Sequence, residues 1–88
     1  MKPKTRPLYL LEWYDIEGDA GWGPGAKKPP LVVQPCFILK RPSKKQEVPC
    51  YIVCTAFCED EPGGAIIIPA AVVKGQPRVI ATVDMRYR

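Results

Sequence analysis

Four thiols, Cys36, Cys50, Cys54 and Cys58, are the side chains best suited to covalent or metal chemistry in a chain that has no histidine and one serine, Ser43. Without imidazole, every triad built on His is excluded. The order Cys36, thirteen residues, then Cys50-x3-Cys54-x3-Cys58 lacks the paired C-x2-C units of structural zinc sites. Pro49, Tyr51, Ile52, Val53 and Thr55 favour a strand across this stretch. On a strand, sulfurs four residues apart lie roughly 13 Å from one another, too far to share an ion. The thiols therefore read as space-fillers between strands, and neither a metal nor another cofactor is expected. A hairpin centred near Ser43 would set Cys36 opposite Cys50, with bonding between them dependent on the redox compartment. A thiol nucleophile would lack a His base, and although a Lys could lower a thiol pKa nothing else in the sequence supports one, so no catalytic residue is assigned and the chain is expected not to be an enzyme.

Cationic side chains cluster at Lys40, Arg41, Lys44 and Lys45, with Phe37, Tyr51 and Phe57 on the segments that flank them. Small β-barrels bind single-stranded nucleic acid through such a pairing of basic loops and stacking aromatics, here with Phe37 or Tyr51 as platform. Four contacts of this kind give a log-log salt slope of about -3, from ~0.7 per neutralised phosphate. The plainer reading is a solvated turn that discourages edge-to-edge aggregation. Thirteen Lys and Arg against nine Asp and Glu leave a net charge of only +4, and acidic stretches occur at Glu12 to Asp19 and Glu59 to Glu61. The stretch with Asp15, Glu17 and Asp19 lacks the longer ligand series of a Ca²⁺ loop, which ends in a bidentate Glu. The run Gly21-Trp22-Gly23-Pro24-Gly25 lacks the trailing Lys of a phosphate loop.

A third feature is hydrophobicity on both faces of one segment. Between Cys50 and Cys58, one face would carry Cys50, Ile52, Cys54, Ala56 and Cys58, and the other Tyr51, Val53, Thr55 and Phe57. A single sheet of this size buries one face. The second needs a cover, supplied by the loop containing Trp22, by a terminal extension or by another chain. Left bare, two aromatics and Val53 would expose on the order of 400 Å², enough to mark an interaction surface. Tyr51, Val53, Phe57 and Trp22 are thus the expected contacts for a protein partner or a second copy.

The elements that must position these groups are short and extended. Eleven Pro and seven Gly in 88 residues exclude long helices. Leu8 to Ile16 reads as a first strand. Residues 17–30 form a long Gly- and Pro-rich loop, in which Trp22 either folds back as a lid or meets a ligand. Leu31 to Lys40 is extended, with pairing expected over Cys36 to Lys40 because of Pro35. Val48 to Phe57 completes a hairpin with it. Cys58 to Gly64 reads as a turn, Ala65 to Ile68 as a short strand, and Pro69-Ala70-Ala71 as a 3₁₀ turn. Val79, Ala81, Val83 and Met85 alternate with Arg78, Ile80, Thr82, Asp84 and Arg86 in the clearest strand signal of the chain. These elements predict one all-β domain over residues 1–88, a five-stranded antiparallel meander or partly open SH3-like barrel with Trp13 and Ile52 in its core, preceded by a basic extension over residues 1–7.

Glu12-Trp13 with Asp15, Gly21-Trp22, Cys36-Phe37-Ile38-Leu39, and Ile68-Pro69 followed by Val72-Val73 resemble small all-β proteins encoded by tailed phages and prophages. That resemblance implies a small accessory protein of a mobile element, with no catalytic residues to carry over. The basic start meets Glu12 and Asp15 too soon for a secretion signal. The apolar stretch from Ala65 to Val73 is far shorter than the ~20 residues that span a bilayer. No membrane association is expected, and a cytoplasmic location is.

Overall fold

The computed structural model describes residues 5–15 and 29–86. It is all-β, with β1 (Thr5–Tyr14), β2 (Leu31–Lys40), β3 (Cys50–Cys54), β4 (Ala56–Cys58), β5 (Glu61–Gly63), β6 (Ile66–Pro69) and β7 (Arg78–Asp84). A 3₁₀ turn at Ala70–Val72 precedes β7. Five strands form an antiparallel sheet in the order β6-β3-β2-β1-β7, and β4 and β5 form a separate two-stranded sheet. Four strands of the larger sheet follow chain order as a meander, and β7 returns to the free side of β1. The sheet does not close into a barrel, because β6 and β7 are its two unjoined edges.

The strand β2 holds the sheet together by changing partners. Its residues from Leu31 to Cys36 pair with β1 over Tyr14 to Tyr9, and Phe37 to Lys40 pair with β3. Pairing therefore runs along the whole strand and not over Cys36 to Lys40 alone. Pro35, opposite Leu10, sits where β3 does not reach, so β2 is locally an edge, the position at which a sheet tolerates a residue with no N–H. Beyond β6 the chain crosses back to β1: Val73 bridges Trp13, and the Lys74 N–H donates to the Glu12 carbonyl at 2.8 Å. The acidic stretch expected as a plain turn instead builds the β4–β5 hairpin. Glu59 takes a positive φ of 56° at its tip, and Gly64 follows β5 at φ 65°.

The core lies on one face of the curled sheet. Leu11, Cys36, Tyr51, Val53 and Ile68 form the buried cluster, with Trp13, Ile38, Ala70, Val72 and Val73 packed against it. Trp13 is half-buried and its Nε1 donates to Gln34 Oε1 at 3.2 Å. Ile52 is not in the cluster. The register Tyr51↔Ile68 and Val53↔Ile66 turns the odd-numbered side chains of β3 inward, and strand period then sends Ile52 to the other face. This inverts the expected roles: Tyr51 and Val53, 7% and 0% exposed, belong to the core and not to a bare docking face.

Beyond the end of β7, Arg86 Nε donates to both Asp84 oxygens at 2.9 and 3.1 Å, and these bonds hold the Asp84 carboxyl at about 2. The pair is fully solvated, so its contribution is screened. It is present at neutral pH and is lost as the pH falls through about 2.

Leu11 is completely buried, and Leu11→Ala is expected to cost about 2–5 kcal/mol in urea unfolding from the lost transfer energy and the cavity. Ile67→Ala, at a side chain 67% exposed, is expected to stay within about 0.5 kcal/mol of wild type.

Candidate functional site

Two concavities arise from the way the strands pair. The first lies where β1 and β2 part company. From Thr5 to Leu8, β1 pairs with β7 alone, while the facing part of β2 has gone over to β3. The resulting cleft, about 360 Å³, is lined by Arg6, Tyr9, Phe37, Leu39, Lys40 and Arg41 among others, and its charged residues are all cations. Two register shifts border it. One falls between Ile38 and Lys40 of β2, and the other on β7 opposite Leu8 and Tyr9. Such bulges bend a strand and re-aim its side chains. Aromatic rings steady two of the cations. The Arg6 guanidinium stands 4.4 Å from the Phe57 ring centroid, and that of Arg41 5.3 Å from the Tyr9 ring.

The second concavity is an apolar groove of about 390 Å³ beside β6, lined by Trp13, Tyr14, Ile66, Ile67, Pro69 and Val72 among others. It exists because the 3₁₀ turn and the Trp13↔Val73 bridge draw the end of β1 towards β6 without a ladder forming between the two strands. Ile66 and Ile67 are 38% and 67% exposed there.

The residues singled out from sequence are distributed as follows. Lys40 and Arg41 line the basic cleft. Lys44 and Lys45 are exposed on the turn beyond it. Gln46 builds that turn: its Oε1 accepts from the Ser43 and Cys50 N–H groups at 2.8 and 3.2 Å, and its Nε2 donates to the Cys50 carbonyl. Phe37 is buried with its ring edge-on to Phe57, centroids 5.3 Å apart, so it offers no free face for stacking a base. Tyr51, the other expected platform, is buried in the core. Phe57 is half-buried under the Arg6 guanidinium and is not part of a patch with Tyr51 and Val53. Trp22 lies outside the described residues. Arg6 and Tyr9, absent from the sequence-based site, enter the cleft because β1 begins at Thr5, within the segment expected to be an extension.

All four cysteines are free thiols. Cys36 faces Tyr9 across the β1–β2 ladder and not Cys50. Burial raises its pKa, and nearby Cys54 raises it further. Burial likewise raises Cys54, against a lowering hydrogen bond from the Ala56 backbone and the charge of Arg6. No three His, Cys, Asp or Glu side chains among the described residues converge on a point that would hold a metal ion. Among those residues, too, no helix is long and apolar enough to cross a membrane.

No family model, curated protein or solved structure matches this chain.

Exposed Cys58 is expected to react first with a thiol reagent such as Ellman's, and Cys36 and Cys54 only as the protein unfolds; mass mapping of the labelled peptides distinguishes them. The folded state holds the Cys36 and Cys54 protons more tightly than the unfolded chain. Stability to urea is therefore expected to fall as pH rises above the usual thiol value of 9.0, and substituting both residues by Ala should flatten that fall.

Proposed function

We propose that this protein is a non-enzymatic interaction module that docks an extended, apolar segment of a protein partner along β6. The observation that carries the reading is an open edge strand with two exposed isoleucines, Ile66 and Ile67, next to an apolar groove. Among the described residues, the outer side of β6 has no neighbouring strand. An extended peptide added there gains main-chain hydrogen bonds, and alternate side chains enter the groove beside Trp13 and Val72. The sequence pointed to an apolar strand face carrying Tyr51, Val53 and Phe57; with Tyr51 and Val53 buried, the reading moves to the edge of β6. A four-residue strand offers a small interface, below about 1,200 Å² in total, which fits a transient partner. The resemblance to small phage-encoded proteins supports an accessory role in a mobile element. The lack of His and the single Ser support a role without catalysis.

Peptide display against the immobilised protein is expected to enrich extended apolar sequences. In NMR titrations these should shift the Ile66 to Pro69 amides and the Trp13 indole. Ile67→Lys is expected to weaken binding roughly tenfold or more, from lost apolar burial, without changing the fold. Enriched peptides that bind Ile67→Lys as tightly as wild type, or that shift only residues away from β6, would overturn the reading.

A further inference from the structure

The basic cleft takes no part in docking at β6 and has the composition of an anion site. We propose that the split between β1 and β2 binds the phosphate backbone of single-stranded nucleic acid, with Arg6, Lys40 and Arg41 as the contacting cations. The pairing pattern supplies the space. Arg6 to Leu8 and Phe37 to Lys40 run alongside each other without a shared ladder, so backbone polar groups on their facing sides are left without strand partners.

Charge supplies the ligand class. None of Arg6, Lys40 and Arg41 is paired with a carboxylate among the described residues, and no acidic side chain lines the cleft. Arg6 and Lys40 arrive from different strands, so the positive charge flanks a slot and is not spread along one turn. The two guanidiniums are already held against Phe57 and Tyr9, which lowers the entropy lost on contact with phosphate. A volume of about 360 Å³ admits a phosphodiester and its sugar and is too small to enclose a duplex.

The same geometry specifies what is read. With Phe37 and Tyr51 buried and the Tyr9 ring carrying Arg41, neither of the aromatic platforms expected from sequence is open to a base. Binding therefore rests on phosphate contacts, which position a strand without reading its sequence. This differs from the stacking platform expected from sequence at Phe37 or Tyr51.

The test is fluorescence anisotropy of labelled single-stranded oligonucleotides against the full chain over a series of salt concentrations. Three phosphate contacts give a log-log slope of about -2, at ~0.7 for each. Oligo-dT and oligo-dC are expected to bind alike within about threefold, and an equimolar hairpin duplex to compete poorly. Arg6→Gln and Arg41→Gln are each expected to flatten the slope by about 0.7, and Arg6→Lys to restore it. Thermal melts of each variant guard against unfolding, since Arg6 also covers Phe57. Competition with inorganic phosphate, at matched ionic strength, separates the sources of the anion: a strand ligand resists it, and displacement at low millimolar phosphate would mean a site for free phosphate and overturn the strand assignment. Absence of oligonucleotide binding even at low salt would overturn the proposal. So would binding lost in a Lys44→Gln, Lys45→Gln double variant but unchanged in folded Arg6→Gln and Arg41→Gln, since that pattern belongs to the turn and not to the cleft.

Discussion

The structure depends on one strand serving two partners. β2 is ten residues long, and its pairing passes from β1 to β3 between Cys36 and Phe37. A strand committed to β1 throughout would leave β3 and β6 without a template. One committed to β3 would detach β1 and, with it, β7. Divided pairing lets a short chain curl its sheet around Leu11, Cys36, Tyr51, Val53 and Ile68, drawn from four strands. It also has a cost in unpaired backbone, because the first part of β1 and the last part of β2 face each other without a ladder. The basic cleft occupies that gap, so the same step that forms the core also forms the concavity.

Some of this was readable from residue types alone. Pro and Gly loads excluded helices, Arg41 to Glu47 supplied the turn of a hairpin, Pro69-Ala70-Ala71 marked the short helical turn, and the alternation from Arg78 onwards marked β7. The choice of buried face on β3 was not readable. Tyr51 and Val53 are apolar, and so are Cys50, Ile52 and Cys54, so period-two patterning has no contrast with which to choose. The decision falls to cross-strand partners: Ile68 opposite Tyr51, and Ile38 opposite Val53. Those registers are set by turns and bulges distant in sequence. Likewise, Arg6 lies more than thirty residues from Lys40 in the chain. The two meet only through the paired part of β1 and β2, so local clustering of charge pointed to Lys44 and Lys45 and passed over Arg6.

The cysteine positions show the limit of spacing arguments. Symmetry about Ser43 suggested Cys36 opposite Cys50, but Lys40 pairs with Ile52, which centres the hairpin near Gln46, and past the bulge at Leu39 Phe37 faces Cys54. The place of the turn decides the partner, and spacing alone does not show where a turn over residues 41–49 has its centre. The extended segment assumed from Cys50 to Cys58 is divided, with Cys50 and Cys54 at the two ends of β3 and Cys58 at the end of β4. Cys36 and Cys54 are buried where Cys58 is exposed on the small hairpin.

The two open edges of the sheet differ in how they resist unwanted pairing, and the difference favours β6 as the docking edge. An edge strand is normally guarded by charge, proline or a bulge. β7 has all but proline: Arg78 and Asp84 bracket it, and its register breaks opposite Leu8 and Tyr9. A second chain approaching β7 would meet charged ends and an irregular ladder, even though Val79 and Ile80 are exposed. β6 is guarded only at its last position, Pro69, while Ile66 and Ile67 present apolar side chains and open backbone. Pro69 is itself paired with Cys50, so it limits the length of an added strand more than it prevents one. An edge left unguarded among the described residues and flanked by an apolar groove is the feature on which the proposed docking of an extended segment rests.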